Sequence, residues 1–325
     1  MAAGERRQTR ALAPTPKGSL ARNWFPAREG RPGGPRSGST HLTIRVIMGS
    51  IPPRNGMKRK TGTDGLFARR PVFSLEEATR ELAPPGGRAG TVARLKHHLA
   101  TGRLRLLARG VYAVVPPGMA PEALRPDPFL VAAAARPDAV FTHHAALELL
   151  GAAHSVWNEC TAYTSKRRRR IEFDGTTVRF LDRPAPMVER SGRQLGTRKV
   201  ERRGRLLETT GPERTLVEGF RRPHLVGGLE ELVRSAAGFA TLDLDLLGAV
   251  LERYGVANLW AATGWFLERS RDVFHVQEEV LEWHASRVPV SAQYLDRGRR
   301  GGTLQRRWNL IVPTELERFG GPDER

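Results

Sequence analysis

Residues 66–116, LFARRPVFSLEEATRELAPPGGRAGTVARLKHHLATGRLRLLARGVYAVVP, decide how the fold is read. Ser74 suits a helix N-cap, and Glu77 three positions on completes a capping box. Leu75, Ala78 and Leu82 follow at i, i+3 and i+7, one face of a helix of about three turns. Pro84, Pro85, Gly86 and Gly87 stop that helix. A second helix is predicted over 89–101, with Val92, Leu95 and Leu99 inward and Gly102 as the left-handed residue past its end. Arg88, Thr91, Arg94, His97 and His98 then face outward, with Lys96 at the edge. Residues 103–115 are β-type, with Arg109-Gly110 as a tip or bulge. The pattern predicts a helix-turn-helix with a basic β-wing over 64–117.

A polar helix face of Arg, Thr and His suits the major groove of DNA. Arg reads guanine edges there, and Thr and His reach bases or phosphates. Arg103, Arg105 and Arg109 on the wing would hold the phosphate backbone. The same residues also fit a short helical hairpin with a solvated basic face, and the local pattern does not separate the two.

The chain has 325 residues, room for two domains at about 100–200 residues each. Net charge is +19, from 53 Lys and Arg against 34 Asp and Glu. Residues 1–63 hold 13 of the basic and two of the acidic groups, so the remainder is only moderately basic, at 40 against 32. That balance favours polyanionic partners, nucleic acid first and membrane surface second. The longest strongly apolar run, 129–135, is far too short to span a bilayer. No apolar signal region opens the chain, and the single cysteine, Cys160, excludes an internal disulfide framework. A cytoplasmic location is the expectation.

Residues 1–63 are rich in Arg, Gly, Pro and Ser and predict a disordered leader, with a hint of a strand at 41–48. Three readings of the leader stay open: a basic arm that adds DNA affinity, an organellar transit peptide, or a mis-assigned start preceding Met48 or Met57. After a Pro-rich linker at 116–128, a second domain is predicted over 126–325. Its first half reads as strands with short helices at 128–136 and at 143–150, the latter capped by Thr142. Asp174-Gly175 between two β-type runs is a strong hairpin signal. Thr210 and Glu213 suggest a second capping box. Helices follow at 227–238, from Asp243 to Gly255, at 258–269 and at 276–287, and 306–313 reads as a last strand. Strands first and helices later predict an α+β chain: the N-terminal winged helix-turn-helix, then a mixed α/β domain.

Several passages together resemble the AbiEi family of antitoxins and regulators. They are PVFSLEEATREL, VARLKHHLATGRLRLLARGVYAVVP, DPFLVAAAARPDAVFTHHAALELLG, TAYTSKRRRR, ETTGPERTLVEGFRRPHLVGGLEELV, GWFLER and RWNLIVP, spread over 66–313. The resemblance implies an N-terminal winged helix joined to a C-terminal antitoxin domain. It also implies repression of the protein's own operon, phage defence, and neutralisation of a nucleotidyltransferase-like toxin encoded beside it. The DNA role carries onto Arg88, Thr91, Arg94, Lys96, His97 and His98, and onto Arg103, Arg105 and Arg109. Operator DNA and the toxin are the implied partners, with no cofactor. A solitary regulator without a toxin is the alternative.

Other chemistry is poorly supported. His143-His144 and His97-His98 are adjacent, so they point about 100° apart on a helix and make poor metal co-ligands. No GxxxxGK[ST] or GxSxG occurs. Glu172 and Asp174 near Lys166 lack the carboxylate order of a two-metal nuclease. Lys166–Arg170 reads as a solvated strand edge in preference to a phosphate contact. Trp260, Trp265 and Trp308 read as core.

Overall fold

The computed structural model describes residues 62–319, apart from 167–168, 297 and 299–300. The basic leader expected over 1–63 and the strand read at 41–48 lie outside them, save for the leader's last two residues. The described chain opens with α1 (Thr63–Arg69), β1 (Val72–Ser74), α2 (Leu75–Leu82) and α3 (Gly87–Ala100). The hairpin β2 (Leu104–Ala108) and β3 (Val111–Val114) follows, and β3 is central in an antiparallel sheet ordered β1-β3-β2. α2 begins where the sequence predicts because its capping box forms. Ser74 Oγ accepts from the Glu77 N–H at 3.1 Å, and Glu77 Oε2 accepts from the Ser74 N–H at 2.8 Å. Gly90 lets α3 lie close to the preceding turn, since a Cβ there would meet the Pro85 carbonyl oxygen at 2.4 Å.

A second group of elements forms a mixed sheet. It comprises α4 (Pro128–Ala135), β4 (Val140–Phe141), α5 (His144–Leu149) and β5 (Glu159–Tyr163). It continues through β6 (Ile171–Phe173), β7 (Thr176–Leu181), the short α6 (Arg190–Gln194), β8 (Thr197–Arg202) and β9 (Arg205–Thr210). The strand order is β6-β7-β5-β4-β9-β8, with β5/β7 and β4/β9 parallel and the other pairs antiparallel. Asp174 and Gly175 both take positive φ, the turn geometry that their sequence signal requires. Arg203 and Gly204 do the same without that signal, so β8 has no counterpart in the sequence reading.

The remainder is mostly helical: α7 (Pro212–Arg221), α8 (Leu229–Ala237), α9 (Leu244–Tyr254), α10 (Ala257–Arg269), α11 (Arg271–Phe274) and α12 (Glu278–Ala285). A small sheet of β10 (Gln293–Tyr294), β11 (Thr303–Gln305) and β12 (Leu310–Val312) closes it. Helices and mixed sheets make the chain α+β. Trp260, Trp265 and Trp308 are buried here, as expected. No helix of the described residues is long and apolar enough to cross a membrane.

Two expected caps do not form. Pro212 takes the first helical position, where its missing N–H costs nothing, so Gly211 becomes the N-cap of α7. Glu213 turns away and accepts from the Asp243 N–H at 2.9 Å, joining α7 to the start of α9. Thr142 does not cap α5 either; its hydroxyl donates to Glu218 Oε2 at 2.9 Å.

Glu218 is the hub of a buried polar cluster. Besides Thr142, it accepts from Arg214 Nε at 2.7 Å, Tyr254 OH at 2.7 Å and Tyr163 OH at 3.0 Å. Four donors on one buried carboxylate satisfy it fully, which is what makes its burial tolerable. Burial opposes its charge, but the Arg214 guanidinium, His143 and the Tyr254 hydroxyl together outweigh that and hold its pKa below the ordinary value. The cluster ties α7 and α9 to β5 and to the end of β4.

Desolvation pushes the imidazoles of His143 and His284 down to about 4. Each is neutral in the fold and becomes charged on unfolding in mild acid. Their contribution is therefore whole above about pH 6.5 and is lost as the pH falls towards 4, on the order of 2–3 kcal/mol each. Chemical denaturation at pH 7 and pH 4.5 is expected to show a loss of several kcal/mol. Equal stability at the two pH values would contradict the burial of these rings.

Candidate nucleic-acid interface

α3 is held by Leu95, which is buried, and by Val92 and Leu99, which are half-buried. Thr91 departs from the expected outward placement: it is fully buried. It tolerates burial because its hydroxyl donates to the Gly87 carbonyl at 3.0 Å, leaving its methyl to pack. His98 departs too. Its ring meets the edge of Phe67 at a centroid distance of 5.0 Å, and desolvation first, then Arg103, lowers its pKa. The cause in both cases is that the buried stripe of α3 is wider than the apolar residues alone indicate. Phe67 lies on α1, an element the sequence pattern does not reveal.

Arg94, Lys96 and His97 are exposed on α3. Arg88 is exposed as well and pairs with Glu76 of α2 at 2.9 Å. A pair this open to water is worth about 0–1 kcal/mol, so a phosphate can displace the carboxylate at little cost. Arg109 is exposed in the turn between β2 and β3. This two-residue tip follows a bulge between Leu106 and Ala108.

The two remaining wing cations are engaged within the protein. Arg103 donates to Asp64 of α1 at 2.6 Å, and its guanidinium lies 5.5 Å from the centre of the Phe67 ring. Arg105 forms a two-pronged pair with Asp174, at 2.7 and 2.8 Å, and donates to the Leu124 carbonyl. These hydrogen bonds raise the Arg105 pKa and lower that of Asp174. Arg105 thus fastens β2 to the β6–β7 turn, engaged with a carboxylate where the sequence pattern leads one to expect a cation open to phosphate.

A second anchor has no signal in the sequence pattern. Glu77, while capping α2, also pairs with Arg205 at 2.9 Å and with Arg70 at 3.5 Å. Between the anchors, Val72, Val111 and Ala113 share one apolar core with α4 and the inner face of the six-stranded sheet. The α2–α3 unit and its hairpin are therefore seated on the second sheet, with the exposed side of α3 left open. Beside the hairpin tip, Arg109, Lys166, Arg169 and Arg170 line one groove of about 600 Å³.

No metal-binding cluster of His, Cys, Asp or Glu occurs among the described residues. Cys160 is buried, and desolvation raises its thiol pKa well above the ordinary value, so it is inert as a nucleophile.

Neither the known protein-family models nor the curated proteins contain a match to this chain. The crystal structure of the RV2827C protein from Mycobacterium tuberculosis is similar over 77% of this chain and 89% of that one, with a TM-score of 0.51 and 18% identity. At that identity the likeness concerns the fold.

The Arg105–Asp174 pair is expected to behave as one unit. Arg105→Ala and Asp174→Ala should each lower the melting temperature, and the double variant should lose little more than the worse single. Additive losses would contradict the pairing.

Proposed function

We propose that residues 63–115 form a winged helix-turn-helix and that the protein is a DNA-binding repressor of its own operon. The element order and the β1-β3-β2 sheet support this reading, because a winged helix is built in that order. One observation carries it: α3 turns Arg94, Lys96 and His97 to solvent beside a hairpin whose tip carries Arg109. In this mechanism the exposed cations displace counterions from the duplex, which supplies sequence-independent affinity. α3 lies in the major groove, where Arg94 reads base edges, and Arg109 grips the flanking backbone. Arg88 exchanges Glu76 for a phosphate. Thr91, His98 and Arg105 shape and seat this surface without touching DNA, while Arg103, in a pair with Asp64 as open as that of Arg88, can exchange it for a phosphate in the same way.

The resemblance of the sequence to AbiEi proteins adds a second role, antitoxin to a nucleotidyltransferase-like toxin. The part of the chain after the hairpin would carry it, in the cytoplasm and without a stable complex being required.

Arg94→Ala is expected to weaken binding to duplex DNA from upstream of the protein's own gene by about 1–3 kcal/mol, with a larger loss on that sequence than on a scrambled one. Thr91→Val, inside the fold, should bind as the parent does. Unchanged binding by Arg94→Ala at moderate salt would contradict the assignment of α3. For the second role, co-expression with a nucleotidyltransferase encoded beside the gene should restore growth. Persistent growth arrest would remove the antitoxin role and leave the repressor.

A further inference from the structure

The groove beside the hairpin tip is made by parts of the chain distant in sequence. Arg109, Ser74 and Glu76 at the start of α2, Arg136 just past α4, and Lys166, Arg169 and Arg170 all line it. Its two carboxylates already have partners. Glu76 holds Arg88 at 2.9 Å, and Glu172 holds Arg170 at 2.9 Å. Lys166 lines the same groove as Ser74 and Glu76, which places this rim beside the first turn of α2. The positive surface thus continues from α3 past the hairpin tip onto the six-stranded sheet. No aromatic side chain lines the groove among the described residues. Single strands are held chiefly by stacking bases on aromatic rings, so this lining suits a phosphate backbone better than unpaired bases.

We propose that this groove is a second backbone-binding site for the same DNA duplex, gripping phosphates beyond the segment read by α3. It rests on the reading of α3 as the helix that enters DNA. The two sites have a fixed spacing because Arg105 and Asp174 clamp β2 to the β6–β7 turn close by. The second part of the chain thereby adds affinity and lengthens the footprint without adding sequence preference.

The test uses the full chain carrying Lys166→Ala, Arg169→Ala and Arg170→Ala together. Binding is followed by fluorescence anisotropy, across a range of salt, to a 40-base-pair duplex from upstream of the gene and to a scrambled duplex of equal length. At moderate salt both affinities are expected to fall about tenfold or more. The slope of log affinity against log salt should become shallower by about 2–3, roughly 0.9 for each phosphate that is no longer neutralised. The ratio between the two duplexes should stay the same. Arg169→Glu alone, on an exposed side chain, should move both affinities in the same direction. Three results would overturn the proposal. One is an unchanged slope and affinity. Another is an equal loss from Arg221→Ala, Arg234→Ala and Arg271→Ala together, which removes the same charge outside the groove. The third is a loss confined to single-stranded RNA. A parent protein that binds neither duplex would sink the reading of α3 as well, an outcome distinct from a parent that binds and a triple variant that binds equally well.

Discussion

One carboxylate sets the position of the candidate reading helix. Glu77 closes the cap of α2 through the Ser74 N–H and pairs with Arg205 at the start of β9. The same carboxylate that caps α2 through one oxygen therefore attaches it to the six-stranded sheet through the other. Arg105 and Asp174 repeat the attachment on the hairpin side. Between these polar anchors, Val72, Val111 and Ala113 bury against α4 and its sheet. Burial of such side chains contributes about 1.5–3 kcal/mol for a residue of Val size, so the apolar contact supplies most of the stabilisation and the ion pairs set the register. α3 inherits its orientation from this docking.

The arrangement divides the basic residues into two kinds. Arg105 and Arg205 are engaged within the protein in sheltered pairs, each with a carboxylate on another element, whereas Arg88 and Arg103 sit in open pairs at the surface. Arg94, Lys96 and Arg109 lie on the outside. Exposed cations, including those in open surface pairs, can release counterions from a nucleic acid, but the sheltered ones cannot, so the basic composition overstates the number of cations free for a partner. The buried Glu218 cluster plays the matching role further along the chain, fixing α7 and α9 to the sheet that carries the docked unit.

Local signals are legible wherever one residue type has one cheap conformation. The Ser74–Glu77 box, the Asp174-Gly175 turn, Gly102 and Gly255 past their helices, and the apolar stripe around Leu95 all hold. Sequence reasoning fails where a neighbour absent from the pattern changes the outcome. Thr91 and His98 are polar and read as outward, yet Thr91 is fully buried and Phe67 of α1 packs against His98. Thr210 and Glu213 have the spacing of a box, but Pro212 moves the cap one residue on. Arg105 reads as a surface cation until its partner, 69 residues away, is in place. Long-range ion pairs leave no periodic trace in sequence, so the division of cations into inner and outer cannot be read from it.

The proposed DNA recognition requires the outer face of α3 and the hairpin tip to meet the duplex as one surface. Hydrogen–deuterium exchange with and without a saturating duplex from upstream of the gene tests this most directly. Slower exchange is predicted in residues 87–100 and 106–112, with residues 229–285 unchanged. Protection confined to the helical region, or none at all under conditions where the duplex is bound, would contradict it.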